Sequence, residues 1–143
     1  ALGAIKRGAS VWNRVKGSSF KFIYRGRTTS RSHGKYDGRN IVSFGPLKTG
    51  VLGVNVYIYY TNNGAIVDSD IRFNTRERWS TKKAKNAYDL QSVAAHEFGH
   101  SLCLLDLYGA GDKSKTMYGY GSRGDFKQRT LHPADKRGIQ ALY

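Results

Sequence analysis

Two histidines four positions apart constrain this chain more than any other feature. In HEFGHSLCLLD, residues 96–106, His96 and His100 flank Glu97. On a helix that spacing sets both imidazoles on one face, one turn above the other. The surroundings favour a helix: Leu90, Val93, Ala94 and Phe98 supply apolar anchoring, and Asp89 is placed to cap the first turn. A helix from Leu90 to about Leu102 is therefore predicted.

Two ring nitrogens held in this way can bind one zinc ion at roughly 2.0–2.1 Å. Glu97 lies beside that face and can reach a water on the metal without binding the metal itself. Zinc brings the pKa of such a water towards neutrality, and a glutamate can take its proton as the water attacks a carbonyl. A third ligand is needed, and spacing alone does not name it. His33 sits in a basic loop and His132 at the start of the last helix, so neither remaining histidine is a natural choice. Two blander readings stand beside this one. The histidines could simply pack or face solvent, and Asp106 could simply cap or face water.

The 143 residues suffice for one domain with a proper core. ALGAIKRGASVWN begins an amphipathic helix with Leu2, Ile5, Ala9, Trp12 and Val15 at helical spacing, and Gly17 ends it. SFKFIYR alternates Phe20, Phe22 and Tyr24 against other neighbours, the period of a half-buried strand. Residues 26–39 read as a basic loop, NIVSF as a short strand and GPLKTG as a turn. VLGVNVYIYY, residues 51–60, is a second alternating run with Val54, Val56, Ile58 and Tyr60 on one face. AIVDSDIRF returns beside it after the turn at Asn62-Asn63-Gly64. Residues 74–86 form a solvated, lysine-bearing loop, and 106–131 are irregular. Pro133 opens a C-terminal helix with Asp135 in its first turn and Ile139 and Leu142 facing inward. No repeat, linker or second domain is visible.

Lysine and arginine number 24 against 10 acidic residues, a net charge of +14. In the first 67 residues Asp37 is the single acid. Such a surface favours acidic partners: nucleic acid, anionic lipid or polymer, or an acidic protein. No apolar run is long enough to cross a bilayer. Cys103 is the one cysteine, so no internal disulfide can form, and its apolar SLCLL setting reads as a buried, inert thiol.

DLQSVAAHEFGHSL followed by TMYGY resembles the metzincin zinc endopeptidases, and among them the matrixins, whose motif is HExxHxxGxxH followed by a Met-turn. The likeness covers nearly the whole chain: AIKRGASVWN is similar to the family's first helix, DSDIRFNTRERW to its strand and loop before the active-site helix, and LHPADKRGIQALY to its last helix. The resemblance implies an α+β fold: a twisted mixed sheet, mostly parallel, with VLGVNVYIYY as its antiparallel edge, then an active-site helix, a Met-turn and a C-terminal helix. It makes Met117 the Met-turn residue, a floor under the zinc and not a ligand. It sets Tyr118 and Tyr120 at the pocket for the residue after the scissile bond. Gly53, Val54, Asn55 and Val56 become the edge that pairs with an extended substrate.

The chain departs from the matrixin pattern in four places. Asp106 replaces the third histidine, as in the snapalysin-like metzincins. Cys103 replaces the glycine at which the chain turns towards that ligand, a strained position if φ must be positive. Arg72 stands where matrixins carry a structural-zinc histidine, so no structural zinc is expected. Calcium is left open, with Asp68 and Asp70 as weak candidates beside the plainer reading of acids at a strand edge. Finally, the sequence opens in what resembles the family's first helix, so a fold reduced or trimmed of the preceding edge strand and inhibitory pro-segment is expected. Astacin-type metzincins carry a tyrosine two residues after the Met-turn methionine, where this chain has Gly119.

The expectation is a single metzincin-like catalytic domain, residues 1–143, acting as a secreted, monomeric zinc endopeptidase. It would hold one zinc on His96, His100 and Asp106, with Glu97 as general base and then acid, and cut a protein or peptide substrate, its charge favouring acidic ones. The competing readings are a catalytically impaired peptide- or polymer-binding module of the same fold, and a basic nucleic-acid-binding domain. The latter rests on charge alone and lacks any recognition motif of that class.

Overall fold

The computed structural model describes residues 1–143, with three helices and five strands in the order α1 (Leu2–Asn13), β1 (Val42–Gly45), β2 (Gly53–Tyr59), β3 (Ile66–Asn74), β4 (Trp79–Ser80), β5 (Tyr88–Asp89), α2 (Leu90–His100) and α3 (Pro133–Leu142). The chain forms two compact units. One comprises residues 1–25 and 78–143, the other residues 26–77.

In the first unit α1 packs on α2 through small residues. A Cβ on Gly8 would lie 2.7 Å from that of Ala94, so the helices meet where only glycine fits. Beside that crossing the buried Trp12 donates its indole N–H to the Ala95 carbonyl at 2.8 Å. The ring thus fills the core while its polar atom is satisfied. Helix α1 ends at Asn13, before Gly17, and Val15 remains buried beyond it.

Asp89 caps α2 as the sequence indicates. Its carboxylate accepts from the Ser92 N–H at 2.9 Å and the Ser92 hydroxyl at 3.0 Å, and it pairs with Arg129 at 2.5 Å. Burial pushes this carboxyl up, but the bonds from Arg129 and Ser92 outweigh burial and hold it below the usual carboxylate range. Its contribution to stability is therefore present above the unfolded pKa of about 3.9 and is lost as pH falls through the lower folded value. Asp89→Ala is expected to cost about 2–4 kcal/mol at neutral pH, from the lost cap and an orphaned Arg129. Urea unfolding at pH 7 and pH 3 checks this, because the deficit should shrink at the lower pH.

The segment 19–25 forms no strand. Phe20 and Phe22 do point inward as alternation suggests, with Phe22 4.8 Å from the Phe98 ring and Phe20 5.1 Å from that of Tyr143. The Phe22 N–H, however, is taken by the Asn13 side chain at 2.7 Å. Period-two burial here comes from packing on helices and not from a sheet, and Tyr24 is exposed. In α3 the fully buried Ile139 faces the core, whereas Leu142 is half exposed and does not. Strands β4 and β5, too short to show a period, pair in parallel.

In the second unit the sheet order is β1-β3-β2. β1 runs parallel to β3, and β2 antiparallel to it, so the sheet is mixed in equal parts and not mostly parallel. β2 is an outer strand, as expected. Asp68 and Asp70 lie on the central strand and are buried to 1% and 0% exposure, not on an edge. Asp70 accepts from the N–H groups of Gly34 and Ile41, both at 2.9 Å, and Asp68 from those of Asp37 and Gly38, both at 3.2 Å. The basic loop is thereby hung from two buried carboxylates. Desolvation raises the Asp70 carboxyl, partly offset by those amide bonds. Arg72 donates to the Arg31 carbonyl at 2.7 Å and covers Gly45, where a Cβ would meet its side chain at 2.9 Å.

Candidate metal centre

Helix α2 delivers His96 and His100 on one face, with their rings edge to face and centroids 4.7 Å apart. The helix ends at His100, and the chain turns back through Cys103, whose φ is +63°. That turn brings Asp106 to the histidines. Its Oδ1 lies 3.1 Å from His96 Nε2 and 3.5 Å from His100 Nε2, and the two Nε2 atoms are 3.1 Å apart.

The other ring nitrogens fix the chemistry of these three atoms. His96 Nδ1 is 2.9 Å from the Thr116 carbonyl, and His100 Nδ1 is 2.8 Å from the Leu104 carbonyl. A carbonyl oxygen only accepts, so both Nδ1 atoms carry protons, and in the neutral rings both Nε2 atoms present lone pairs. Two imidazole lone pairs and a carboxylate oxygen then converge on one point. Asp106 Oδ1 is buried and has no hydrogen-bond donor. Three acceptors facing one another repel unless a cation or proton lies among them, so this donor set fits a divalent metal with nitrogen and oxygen ligands.

Titration behaviour follows from the same crowding. For His96, desolvation pulls the pKa down, but the Asp106 carboxylate and Glu97 prevail and raise it. His100 is held low by desolvation and by its neighbour His96. When His96 is protonated it donates to Asp106 in the cation's place, and this bond comes first among the causes that hold the Asp106 carboxyl below its usual range. Glu97 is 4% exposed, and burial is the main cause that lifts it to about 7, with His96 opposing and Asp106 adding. A carboxyl with that value exchanges a proton readily near neutrality.

Met117, the Met-turn candidate, is buried against helix α2. A Cβ on Gly99 would lie 2.2 Å from Met117 Sδ, so the glycine inside HEFGH is required by this contact. Asp135 holds the Met117 turn in place: its buried carboxylate accepts from Thr116 N–H at 2.8 Å and from His132 N–H at 3.1 Å. The sequence showed Asp135 only as a first-turn acid of α3. In the structure it anchors the very residue whose carbonyl orients His96.

Tyr108 is a second residue that spacing alone did not reveal. Its hydroxyl donates to Asp106 Oδ2 at 3.1 Å, and a Cβ on Gly119 would lie 2.5 Å from its ring. The bare backbone at 119 thus makes room for a tyrosine from another loop. Tyr120 meets Tyr108 edge to face at 5.4 Å and Tyr118 likewise at 5.6 Å, with Tyr108 and Tyr120 exposed and Tyr118 half-buried. The residue pattern LDLYG contains the signal, a tyrosine two places after the ligand candidate, but nothing in spacing says where its hydroxyl points. Gly53, Val54, Asn55 and Val56 lie on β2 in the other unit, paired with Phe73, Arg72, Ile71 and Asp70. The Asn55 side chain already accepts from Ser69 at 3.1 Å.

Cys103 is the strained point of the site. A side chain at φ +63° costs about 1 kcal/mol relative to glycine. Cys103→Gly is expected to raise stability by roughly 0.5–1 kcal/mol, less the lost packing of the half-buried thiol. The denaturant midpoint of the variant measures this.

The sequence model of the matrixin peptidases matches residues 4–143, running through both units. The hatching enzyme of Paracentrotus lividus is 35% identical over 143 residues, which cover 97% of this chain and 22% of that protein. Matrix metalloproteinase-18 of Xenopus laevis is 32% identical over 140 residues, and neutrophil collagenase of Homo sapiens 29% over 149. Each of these two alignments covers 98% of this chain and 28% of the relative. The chain therefore spans about a quarter of the length of these relatives. With HEFGH on a capped helix, a buried Met117 packed against its Gly99 and a family match over all but the first three residues, this chain belongs to the matrixin family of peptidases.

Proposed function

We propose that the chain is the catalytic domain of a zinc-dependent endopeptidase, with one zinc ion held by His96, His100 and Asp106. The observation that carries this reading is the convergence of two imidazole nitrogens and a carboxylate oxygen within 3.1–3.5 Å. Bound there, zinc supplies Lewis acidity to a water and to the scissile carbonyl. The carboxylate adds a negative charge that a third histidine would not, which makes the metal a somewhat weaker acid.

The rest of the chemistry belongs to the chain. Glu97 takes the proton of the attacking water on its carboxylate and returns it to the departing amine. Its burial excludes bulk water from that exchange and, in the metal-free site, raises the carboxyl, which makes it a stronger base than a solvated glutamate. Thr116 and Leu104 fix the imidazole tautomers, and Tyr108 orients the carboxylate of Asp106. Tyr118 and Tyr120 form one wall for the residue after the scissile bond, and Gly53–Val56 offer backbone groups to an extended substrate. Asp68 and Asp70 serve as loop anchors in this reading.

Matrixin membership, together with the basic surface, supports a secreted enzyme acting on protein substrates, acidic ones among them. No helix is long and apolar enough to cross a membrane. Mass-spectrometric cleavage mapping of a diverse peptide library tests the reading. Cuts that vanish with a chelator and return with zinc are expected. A folded, zinc-loaded protein that leaves the library intact would replace the peptidase by a peptide- or polymer-binding module.

A further inference from the structure

In the first unit a cavity of about 430 Å³ is walled by Arg14 and Lys16 from the end of α1, by Arg129 and Thr130, and by Lys136 and Gln140 from α3. No acidic residue lines it, and none of its residues belongs to the candidate metal centre. The charge of Arg129 is already matched by Asp89. Arg14, Lys16 and Lys136 are exposed and form no ion pair, Arg14 bonding only to the Ser10 hydroxyl. Three uncompensated cations therefore face one hollow.

The hollow is held in shape. Gly17, at φ +81°, turns the chain directly after Lys16, and the Lys16 carbonyl accepts from the Gln140 side chain at 2.7 Å. The end of α1 is thereby tied to α3, so the backbone segments that carry these cations are held side by side before any ligand arrives. The floor is apolar, built from Val11, Val15 and Leu131, each at most 8% exposed. Such a volume exceeds what a bare oxyanion fills. The floor suits a carbon skeleton, while Thr130 and Gln140 can meet hydroxyl groups.

We propose that this cavity binds an anionic saccharide, a sugar bearing sulfate or phosphate esters. Guanidinium and ammonium groups recognise both esters through charge-assisted hydrogen bonds, and the sugar ring seats on the apolar floor. The site lies outside the peptidase machinery and would dock the enzyme on a polyanionic matrix without entering its chemistry.

Calorimetric titration of the folded chain at about 0.15 M salt tests this, a condition that screens long-range attraction beyond roughly 8 Å. The probes are a heparin-derived hexasaccharide, a sugar phosphate and inorganic sulfate. Binding of the hexasaccharide identifies the sulfate source, and binding of the sugar phosphate identifies the phosphate source. Arg14→Ala with Lys136→Ala is expected to weaken binding at least about tenfold, whereas Lys82→Ala with Lys85→Ala, which removes equal charge from an exposed loop, weakens it less than about threefold. Lys16→Ala alone should weaken it severalfold, and circular dichroism should show each variant folded. Equal losses in the two double variants would overturn the site in favour of a diffuse field. So would no binding by either sugar, inorganic sulfate binding as tightly as the hexasaccharide, or a random DNA duplex outcompeting it.

Discussion

Glu97→Gln is expected to lower peptide hydrolysis by roughly a hundred- to ten-thousand-fold while leaving zinc binding in place. The amide keeps the volume of the carboxylate in a pocket that is 4% exposed, but it can neither take the proton of the water nor return it to the amine. The same variant should change stability in the opposite sense. In the metal-free protein burial lifts Glu97 from 4.5 to about 7. Between those values the folded state binds more protons than the unfolded chain, so stability falls as pH rises through that window. Above pH 7 the fold carries a buried charge that glutamine lacks. Metal-free Glu97→Gln should therefore melt higher than the unsubstituted protein at pH 8, with the difference shrinking towards pH 5. A nearby dication lowers the cost of the charge, so the difference should also narrow on zinc loading. Unchanged hydrolysis in the variant would remove Glu97 from the chemistry.

Asp106→Ala is expected to reduce zinc affinity by more than about a hundredfold, since loss of even an outer-shell partner costs 10–100-fold. Asp106→His, which restores the family's usual ligand type, should keep one zinc per chain. Competition against a chromophoric chelator reads both. Zinc retained by the alanine variant at full affinity would take Asp106 out of the ligand set. The affinity of the unsubstituted site should also fall with pH, because His96 and His100 must bind as neutral imidazoles.

The candidate site was legible in the sequence because its core is local. His96, Glu97 and His100 lie within one helical turn, and a capped, apolar-anchored helix fixes their geometry from spacing alone. Asp106 and Met117 were legible through resemblance. The non-local supports were not. Asp135 reaches Thr116 across 19 positions, and Tyr108 reaches Asp106 only because Gly119 leaves room for its ring. Neither contact leaves a periodic trace.

The fold shows the same division. β2 announced itself by alternation, β3 by the turn that returns the chain beside it, and α2 by its cap. Residues 19–25 alternate equally well but find Asn13 and the helices as partners instead of a strand. Pattern reports which side chains are buried, not what buries them. Asp68 and Asp70 make the point for charge: acids read as lying at a strand edge sit on the central strand, where backbone amides of residues 34–41 offset their burial.

Zinc-edge anomalous diffraction from crystals of the zinc-loaded protein shows whether two histidines and an aspartate hold the metal. One peak is expected within bonding distance of His96 Nε2, His100 Nε2 and an Asp106 oxygen. A peak that leaves Asp106 out, or no peak at His96 and His100, would overturn the assigned ligand set.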